Sequence, residues 1–528
     1  MALTGRRVPL PDNLLVHGVF ESHARLTPDR TALTCGATEL TYAEVNERSN
    51  RLAHHLISLG VGRGSVVGVC LDRTPELVIS ILGIMKAGAA YVPLDPTYPA
   101  ERLHLMVSQL DRIKLNIVSA GTRALLSTAP GELLLVDELG ADLRARPASN
   151  PDVALGNDDL CYVVFTSGST GIPKATAIRH AGWYNLLEWL RLEYRLDSGS
   201  SGLTVSSFGF DISQRGLMAP LFCGAAIHLL PSRMFDPGMA YGIIEQRQVK
   251  QLHCAPSTLY VLIDHEVAVG GDALTRMGHV FIGGEPLTVS RVEEWAVREG
   301  NSCVLLHQYG VAECTDVASS HLLADYPRYR GAATPAGPAV YNTEISILDE
   351  DLTEVPDGTT GEICISGMSV SAGYLNASPA DARRFTELPT ADGPVPLYLT
   401  GDRGYLAAGE LVVVGRVDAQ VKIRGMRMDL GDVEHGVRGH ALVEDVVVLA
   451  LPDGDGEPRL VAYVLPVADG LNTRRLYRDL MDVLPRNMIP QEFIVLDAFP
   501  LNPNGKTDRR ALAAMTAPAA RAPERNDQ

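Results

Sequence analysis

Apolar residues in TYAEVNERSNRLAHHLISLG (41–60) recur at helical spacing and stop at a glycine, which predicts an amphipathic helix. GSVVGVCLD (64–72) reads as a buried strand. TPELVISILGIMKAG (74–88) predicts a helix with Thr74 as N-cap and Pro75 at its first position. A further apolar run, LCYVVF (160–165), predicts a buried strand leading into FTSGSTGIPK (165–174). Strand and helix signals alternate to about residue 310, the pattern of a parallel sheet covered by helices. From about 320 to 415 the short runs TEISILDEDL, GEICISG and GELVVVGR alternate with Asp/Gly turns, which predicts a β-rich subdomain. After GRVDAQVKIRG (415–425) a smaller α+β unit follows, with a helix at 430–438, strands at 445–451 and 459–466, and a helix at 474–484. The Pro/Ala-rich, charged end TAPAARAPERNDQ (516–528) predicts a disordered tail.

A chain of 528 residues is too long for one core, so two or more domains are expected. The net charge of −17 argues against a nucleic-acid or membrane-surface binder, either of which needs a basic face. Only six of the 46 basic residues are lysine, so a lysine inside a glycine-rich loop stands out. The eight cysteines form no CxxC pair or metal-finger spacing, which predicts buried free thiols in a reducing cytoplasm. The start, MALTGRRVPLPDN, lacks the apolar core of a signal peptide. The most apolar window, 76–94, is broken by Lys86 and Pro93 and is too short to cross a bilayer.

A Gly/Ser/Thr-rich loop that ends in lysine suits a polyphosphate. Backbone N–H groups and hydroxyls donate to phosphate oxygens, glycines allow close approach, and the lysine adds charge. It is not the P-loop pattern, because Lys174 follows Pro173 and precedes Ala175. By itself it is either another kind of phosphate loop or a mobile surface loop.

YVVFTSGSTGIPKATAIRH (162–180) is followed and preceded, in order, by further motifs. They are LTYAEVNERSNRLAHHL (40–56), KAGAAYVPLDPTYPAERL (86–103), FGFDIS (208–213), QYGVAE (308–313), GEICISGMSVSAGYLN (361–376), YLTGD (398–402), GRVDAQVKIRGMRMDLGDVE (415–434), LPRNMIP (484–490) and NPNGKTDRRAL (502–512). The set resembles the adenylate-forming superfamily, and most closely the amino-acid adenylation domains of nonribosomal peptide synthesis, over roughly 15–515. The resemblance implies an α/β fold with a large N-terminal domain (1–417) of two α/β subdomains plus a β-barrel-like subdomain. A small mobile α+β C-terminal domain (418–515) and the tail (516–528) complete it. It also implies attack of a carboxylate on the α-phosphate of ATP with loss of pyrophosphate, aided by Mg²⁺.

By that resemblance Thr166, Ser167, Gly168, Ser169, Thr170, Gly171 and Lys174 cover the outgoing pyrophosphate. Tyr309 lies against the adenine near His307 and Gly284, Glu313 is the Mg²⁺ ligand, Asp402 takes the ribose hydroxyls, and Arg416 sits near ribose and phosphate. Lys506 reaches both the substrate carboxylate and the α-phosphate, where a cation relieves the repulsion of two anions. Lys506, Glu313, Lys174 and Thr166 form the catalytic set. Asp418 is the hinge between adenylating and thioester-forming states, and Lys422 and Arg424 approach the site in the second.

Asp211 pairs with a substrate ammonium in the amino-acid branch, α or β. The side-chain pocket maps onto Ile212, Arg215, His253, Phe281, Gly283, Gln308, Asp316 and Val317. Arg215, His253, Gln308 and Asp316 are polar, and an apolar substrate would leave them unpaired, so a polar or small side chain is expected. The alternative is that Arg215 and Asp316 pair with each other and shrink the pocket. The chain departs from the family pattern at Val311, Ala312, Ala372 and Leu399. No carrier motif of the GG[HD]S type follows NGKTDRRAL, and HHLISLG (54–60) lacks the aspartate of a condensation motif. A free-standing cytoplasmic enzyme is therefore expected, with ATP and Mg²⁺ as cofactors. It would load an amino acid onto the phosphopantetheine of a separate peptidyl or acyl carrier protein, and an MbtH-like helper is a further partner the resemblance allows. The alternatives are an acyl- or aryl-CoA ligase, an amide ligase with a small amine acceptor, and a non-catalytic binder.

Overall fold

The computed structural model describes residues 2–11, 13, 15–166, 172–329, 333–390, 393–416, 420–423, 426–454, 457–468, 470–500 and 507–516. They fall into two compact units. The larger lies within Met1–Thr166, Pro173–Asp418 and Arg424–Arg427, the smaller within Ser167–Ile172, Ala419–Ile423 and Met428–Gln528.

Two parallel-rich sheets form the α/β part of the larger unit. One has six strands, with parallel strands Glu132–Leu135, Ile113–Val118, Val66–Cys70, Ala90–Pro93 and Leu160–Thr166 in that spatial order and Lys174–Arg179 antiparallel at the edge. The other has eight, in which Val304–Tyr309, His279–Gly283, Gln251–Cys254, Gly202–Thr204, Ile227–Leu229 and Thr31–Cys35 run parallel between two antiparallel edges. Val66–Cys70 is buried along its whole length, as a strand covered on both faces must be. The β-rich segment is a six-stranded sheet whose pairs are antiparallel, built around Gly361–Gly367 and Gly393–Ala407.

The predicted helix after residue 41 runs Tyr42–Ser58 and starts on a full capping box. Thr41 accepts from the Glu44 N–H, and the Glu44 side chain returns to the Thr41 N–H. Thr74 takes the N-cap position of Pro75–Lys86 without a side-chain capping bond; Pro75 sets the first turn instead.

Lys86 closes that helix with a side chain 0% exposed, and its ammonium is 2.7 Å from Glu21 Oε1, 2.7 Å from Asn46 Oδ1 and 2.8 Å from Asn50 Oδ1. It thereby ties the helices Val16–Leu26 and Tyr42–Ser58 to its own. Burial, only partly offset by Glu21, lowers the Lys86 ammonium from the ordinary 10.5 to about 8. The unfolded chain therefore binds more protons between those values, and stability rises with pH across that window. Expressed as wild type minus Lys86→Met, stability is expected to climb by up to about 3 kcal/mol from pH 7.5 to 10.5. Urea melts at several pH values check this, and a flat difference overturns it.

The smaller unit pairs Val443–Pro452 with Pro458–Pro466 antiparallel and adds Glu492–Val495 parallel to the latter. Its helices are Leu430–Arg438, Thr473–Leu480 and Arg509–Thr516. The helix expected to 484 stops at Leu480, and a 3₁₀ turn, Arg486–Met488, follows Pro485. Thr516, expected in the tail, instead ends the last helix, and its hydroxyl lies beside that of Tyr463. Residues 517–528 lie outside the described residues.

All eight cysteines are free. Burial raises the Cys70 and Cys303 thiols to about 12 and Cys314 well above its ordinary range. Among the described residues no helix is long and apolar enough to cross a membrane.

Candidate active site

Carboxyl ends of parallel strands collect functional side chains because the strands' direction brings successive loops to one edge of the sheet. His253, Phe281, Gly283 and Gln308 lie at the ends of three such neighbours, with His253 opposite Phe281 and Gly283 opposite Gln308. The buried helix Asp211–Phe222 packs beside them and contributes Asp211, Ile212 and Arg215. After Tyr309 the chain enters a tight segment in which Thr315 and Asp316 hold φ of 56° and 71°. Two successive non-glycine residues in the left-handed region cost about 1–3 kcal/mol each, a strain that persists only where the surroundings enforce it.

The four polar positions contact one another or the protein around them, but Arg215 Nε, Asp316 Oδ2 and His253 Nδ1 are buried without a hydrogen bond. Arg215 Nε lies 2.9 Å from Asp316 Oδ2, a charge contact not aligned as a hydrogen bond, and Arg215 Nη1 donates to Gln308 Oε1. His253 Nε2 donates to Gln251 Oε1 at 3.0 Å, and its ring stacks on Phe281 at 4.6 Å. Burial, with Arg215 and His279 nearby, keeps His253 neutral. Burial, opposed by Arg215 and reinforced by Asp211, pushes the Asp316 carboxyl up to about 7. Of the expected polar or small side chain, the Arg215–Asp316 contact weakens the case for a polar one, because it offsets both charges without a substrate. The Arg215–Asp316 pairing weighed as the alternative is observed. Val317 is buried beside it.

The nucleotide positions form a second cluster. Asp402, 1% exposed, sits on Gly393–Ala407 directly opposite Arg416 on Glu410–Arg416. Gly401, inside that strand, holds φ 74°, a conformation that a side chain would strain. Arg416 Nη1 donates to Asp402 Oδ1, and Tyr309 Oη donates to Asp402 Oδ2 at 2.7 Å. The residues expected at the ribose and the adenine are thereby one connected group. His307 Nδ1 donates to the Pro335 carbonyl at 2.9 Å, which fixes its tautomer. Gly284 holds φ 86° beyond its strand, a conformation other residues resist.

Glu313 lies in a 3₁₀ turn, Ala312–Cys314, and is 1% exposed. Tyr374 Oη donates to its Oε1 at 2.6 Å, Thr166 Oγ1 stands 3.5 Å from the same atom, and Arg427 Nη1 donates to Oε2 at 2.9 Å. Burial alone would raise this carboxyl, but Arg427 and the Tyr374 hydrogen bond hold it below its usual range. A buried carboxylate that already holds a cation, beside two hydroxyls, fits Mg²⁺ as brought by a nucleotide. That ion takes few protein carboxylates and fills its shell with phosphate and water. Among the described residues no cluster of three or more His, Cys, Asp or Glu is arranged to hold a metal ion.

Lys174 opens the strand Lys174–Arg179 in register with Thr166, and its ammonium is 2.7 Å from Asp381 Oδ1. Ser167, Gly168, Ser169, Thr170, Gly171, Asp418, Arg424 and Lys506 lie outside the described residues. Lys422 lies on Gln420–Ile423 in the smaller unit. Tyr374, Arg427 and Asp381 were not singled out from sequence. The first two stand inside GEICISGMSVSAGYLN and GRVDAQVKIRGMRMDLGDVE; Asp381, in SPADARRF, carries no local signal. Ala372 lines a cavity of about 410 Å³ with Arg179, Tyr374, Ala382 and Phe385.

The clusters around Asp402 and Glu313 and the position of Lys174 are compatible with the nucleotide site expected from the sequence. Residues 20–375 match the AMP-binding enzyme family and residues 432–506 the AMP-binding enzyme C-terminal domain. The chain belongs to the AMP-binding enzyme family, the ATP-dependent, AMP-forming adenylating enzymes, and its relatives include adenylation domains of nonribosomal peptide synthetases. It is 36% identical over 94% of its length to a dimodular nonribosomal peptide synthase of Bacillus subtilis, of which it spans 21%. Among solved structures it resembles NpsA-ThdA, an artificially fused adenylation–PCP di-domain from Klebsiella oxytoca. The TM-score is 0.81 at 25% identity, covering 92% of this chain and 94% of that one. The amide bond synthetase McbA of Marinactinospora thermotolerans shares the fold, with TM-score 0.81 at 22% identity over 95% and 99% of the two chains.

Proposed function

We propose that the protein activates an amino acid with a small side chain as its aminoacyl-AMP and passes it to the phosphopantetheine thiol of a carrier protein. The observation that carries the amino-acid reading is Asp211. Its carboxylate opens a buried helix beside the strand ends and is close enough to Asp316 to raise that residue's pKa. A substrate ammonium is the partner such a carboxylate favours. The Arg215–Asp316 charge contact and the Arg215–Gln308 hydrogen bond fill space beside Asp211, which supports a small side chain.

In this reading there is little covalent work for the chain, and positioning and charge dominate. Asp211 orients the amino acid by its ammonium. Tyr309, His307 and Gly284 flank the adenine, and Asp402 and Arg416 fix the ribose. Thr166, Ser167, Gly168, Ser169, Thr170, Gly171 and Lys174 cover the departing pyrophosphate, while Lys506 stands between the substrate carboxylate and the α-phosphate. Glu313 would hold Mg²⁺, which when bound offsets phosphate charge. Rotation of residues 418–515 about Asp418 then exchanges the adenylating arrangement for one that admits the thiol. Eight free cysteines support a reducing, cytoplasmic setting.

The test is pyrophosphate release with hydroxylamine as trap across α- and β-amino acids, aryl acids and fatty acids, with and without an MbtH-like protein. A separate carrier protein, CoA and small amines are then offered as acceptors. One preferred small amino acid is expected, with Asp211→Asn raising its KM by about 10²-fold and leaving the KM for ATP unchanged. Silence from every amino acid with turnover of an aryl or fatty acid sinks the Asp211 argument. Transfer to CoA or an amine in preference to the carrier replaces the acceptor.

A further inference from the structure

Lys174 is already engaged by an anion of the protein's own. Its Nζ is 2.7 Å from Asp381 Oδ1, with the two side chains only 11% and 20% exposed. Asp381 is held for this contact. Its Oδ2 accepts from Ser378 Oγ at 2.6 Å, and its N–H donates to the same Ser378 oxygen, the cap of the short helix Pro379–Ala382. Burial acts to raise the Asp381 carboxyl, but the hydrogen bonds from Lys174 and Ser378 prevail and keep it ionised. The Tyr374 ring lies 5.7 Å from the same ammonium. The cavity lined by Tyr374, Ala382 and Phe385 borders the short helix and leaves it room to shift.

We infer that Asp381 is a built-in competitor for the polyphosphate: it occupies Lys174 when the nucleotide is absent and must be displaced when the β- and γ-phosphates, or pyrophosphate, bind there. This rests on Lys174 being the polyphosphate lysine of the proposed function. Its physical basis is that one ammonium cannot make a full charge-assisted contact with a carboxylate and a phosphate at once, and that the two anions repel each other. Asp381 thus weakens ATP in the ground state and hastens pyrophosphate departure, while ligands without a β-phosphate do not feel it. It acts on affinity through Lys174 and is not a catalytic residue.

The test is calorimetric binding of α,β-methylene-ATP, pyrophosphate and AMP to the full chain, for wild type, Asp381→Asn, Asp381→Glu and Lys174→Ala. Asp381→Asn is expected to bind the ATP analogue and pyrophosphate about tenfold tighter with AMP unchanged, and Asp381→Glu to stay near wild type. Asp381→Ala repeats the measurement should the asparagine variant fold poorly. If Lys174→Ala weakens the two polyphosphates but Asp381→Asn moves nothing, the competitor role is overturned and the Lys174 reading stands. If Lys174→Ala is silent as well, both fall. Weaker polyphosphate binding in Asp381→Asn, or equal tightening of AMP, also overturns the inference, since Asp381 would then position Lys174 or act on the whole site.

Discussion

Lys506→Ala is expected to slow aminoacyl-adenylate formation by about a thousandfold and to spare thioester formation from supplied adenylate. The substrate carboxylate and the α-phosphate are both anionic, and their approach is opposed until a cation lies between them. At about 4 Å and an effective dielectric near 20, one unit charge against another is worth about 4 kcal/mol. That is about 10³ in rate. In the proposed second half-reaction the nucleophile is a thiol and the adenylate is already made, so the same lysine would have no such task. Single-turnover assays of the two halves, with melting curves beside them, separate the outcomes. Equal loss in both halves would show that Lys506 supports the fold or the binding of the adenylate instead.

The second large effect is expected at Asp402→Asn, which should lower kcat/KM for ATP by about 10²–10³-fold. Asp402 is buried and receives both Arg416 and Tyr309. Neutralising it removes, on the proposed reading, a charged acceptor for the ribose hydroxyls, and it breaks the ion pair to the Arg416 guanidinium, 9% exposed. Breaking a buried pair in this way costs about 3–5 kcal/mol of stability. A urea melt reports that part. The ribose contact is read separately, because 2′-deoxy-ATP should be a much poorer substrate than ATP for wild type but almost equal to it for the variant. A variant that still discriminates the two nucleotides would take the ribose away from Asp402.

Much of this was legible in the chain itself. The helix Tyr42–Ser58, the strand Val66–Cys70 and the helix Leu430–Arg438 follow from periodicity and punctuation alone. Other elements carry weaker signals. Glu492–Val495 is four residues with no turn cluster to announce it, and Arg509–Thr516 has its helical face set by packing of Leu512 against Tyr463 and Val461. The candidate site divides in the same way. Glu313, Asp402 and Lys174 stand in motifs whose order marks them. Partners that come from far along the chain do not announce themselves: Arg427 reaches Glu313 across 114 positions, and Arg215 reaches Gln308 across 93. The Arg215–Asp316 contact is of the same kind. Residue types show which groups need partners, but only the fold shows that they supply one another.

The burial of the thiols bears on what happens to a mixed anhydride once it is made. An acyl adenylate acylates any thiolate it meets, and only the thiolate, not the thiol, is an effective nucleophile. Cys314 is the residue after Glu313, yet it is 0% exposed, and burial holds it protonated. Cys35 and Cys303, the two cysteines that are partly exposed, are likewise shifted upward by burial. The enzyme thus protects its product from self-acylation by keeping its own sulfur out of reach. Where the acceptor is an outside thiol, as proposed, its maleimide titration can be read in the enzyme's presence with little background from the enzyme itself.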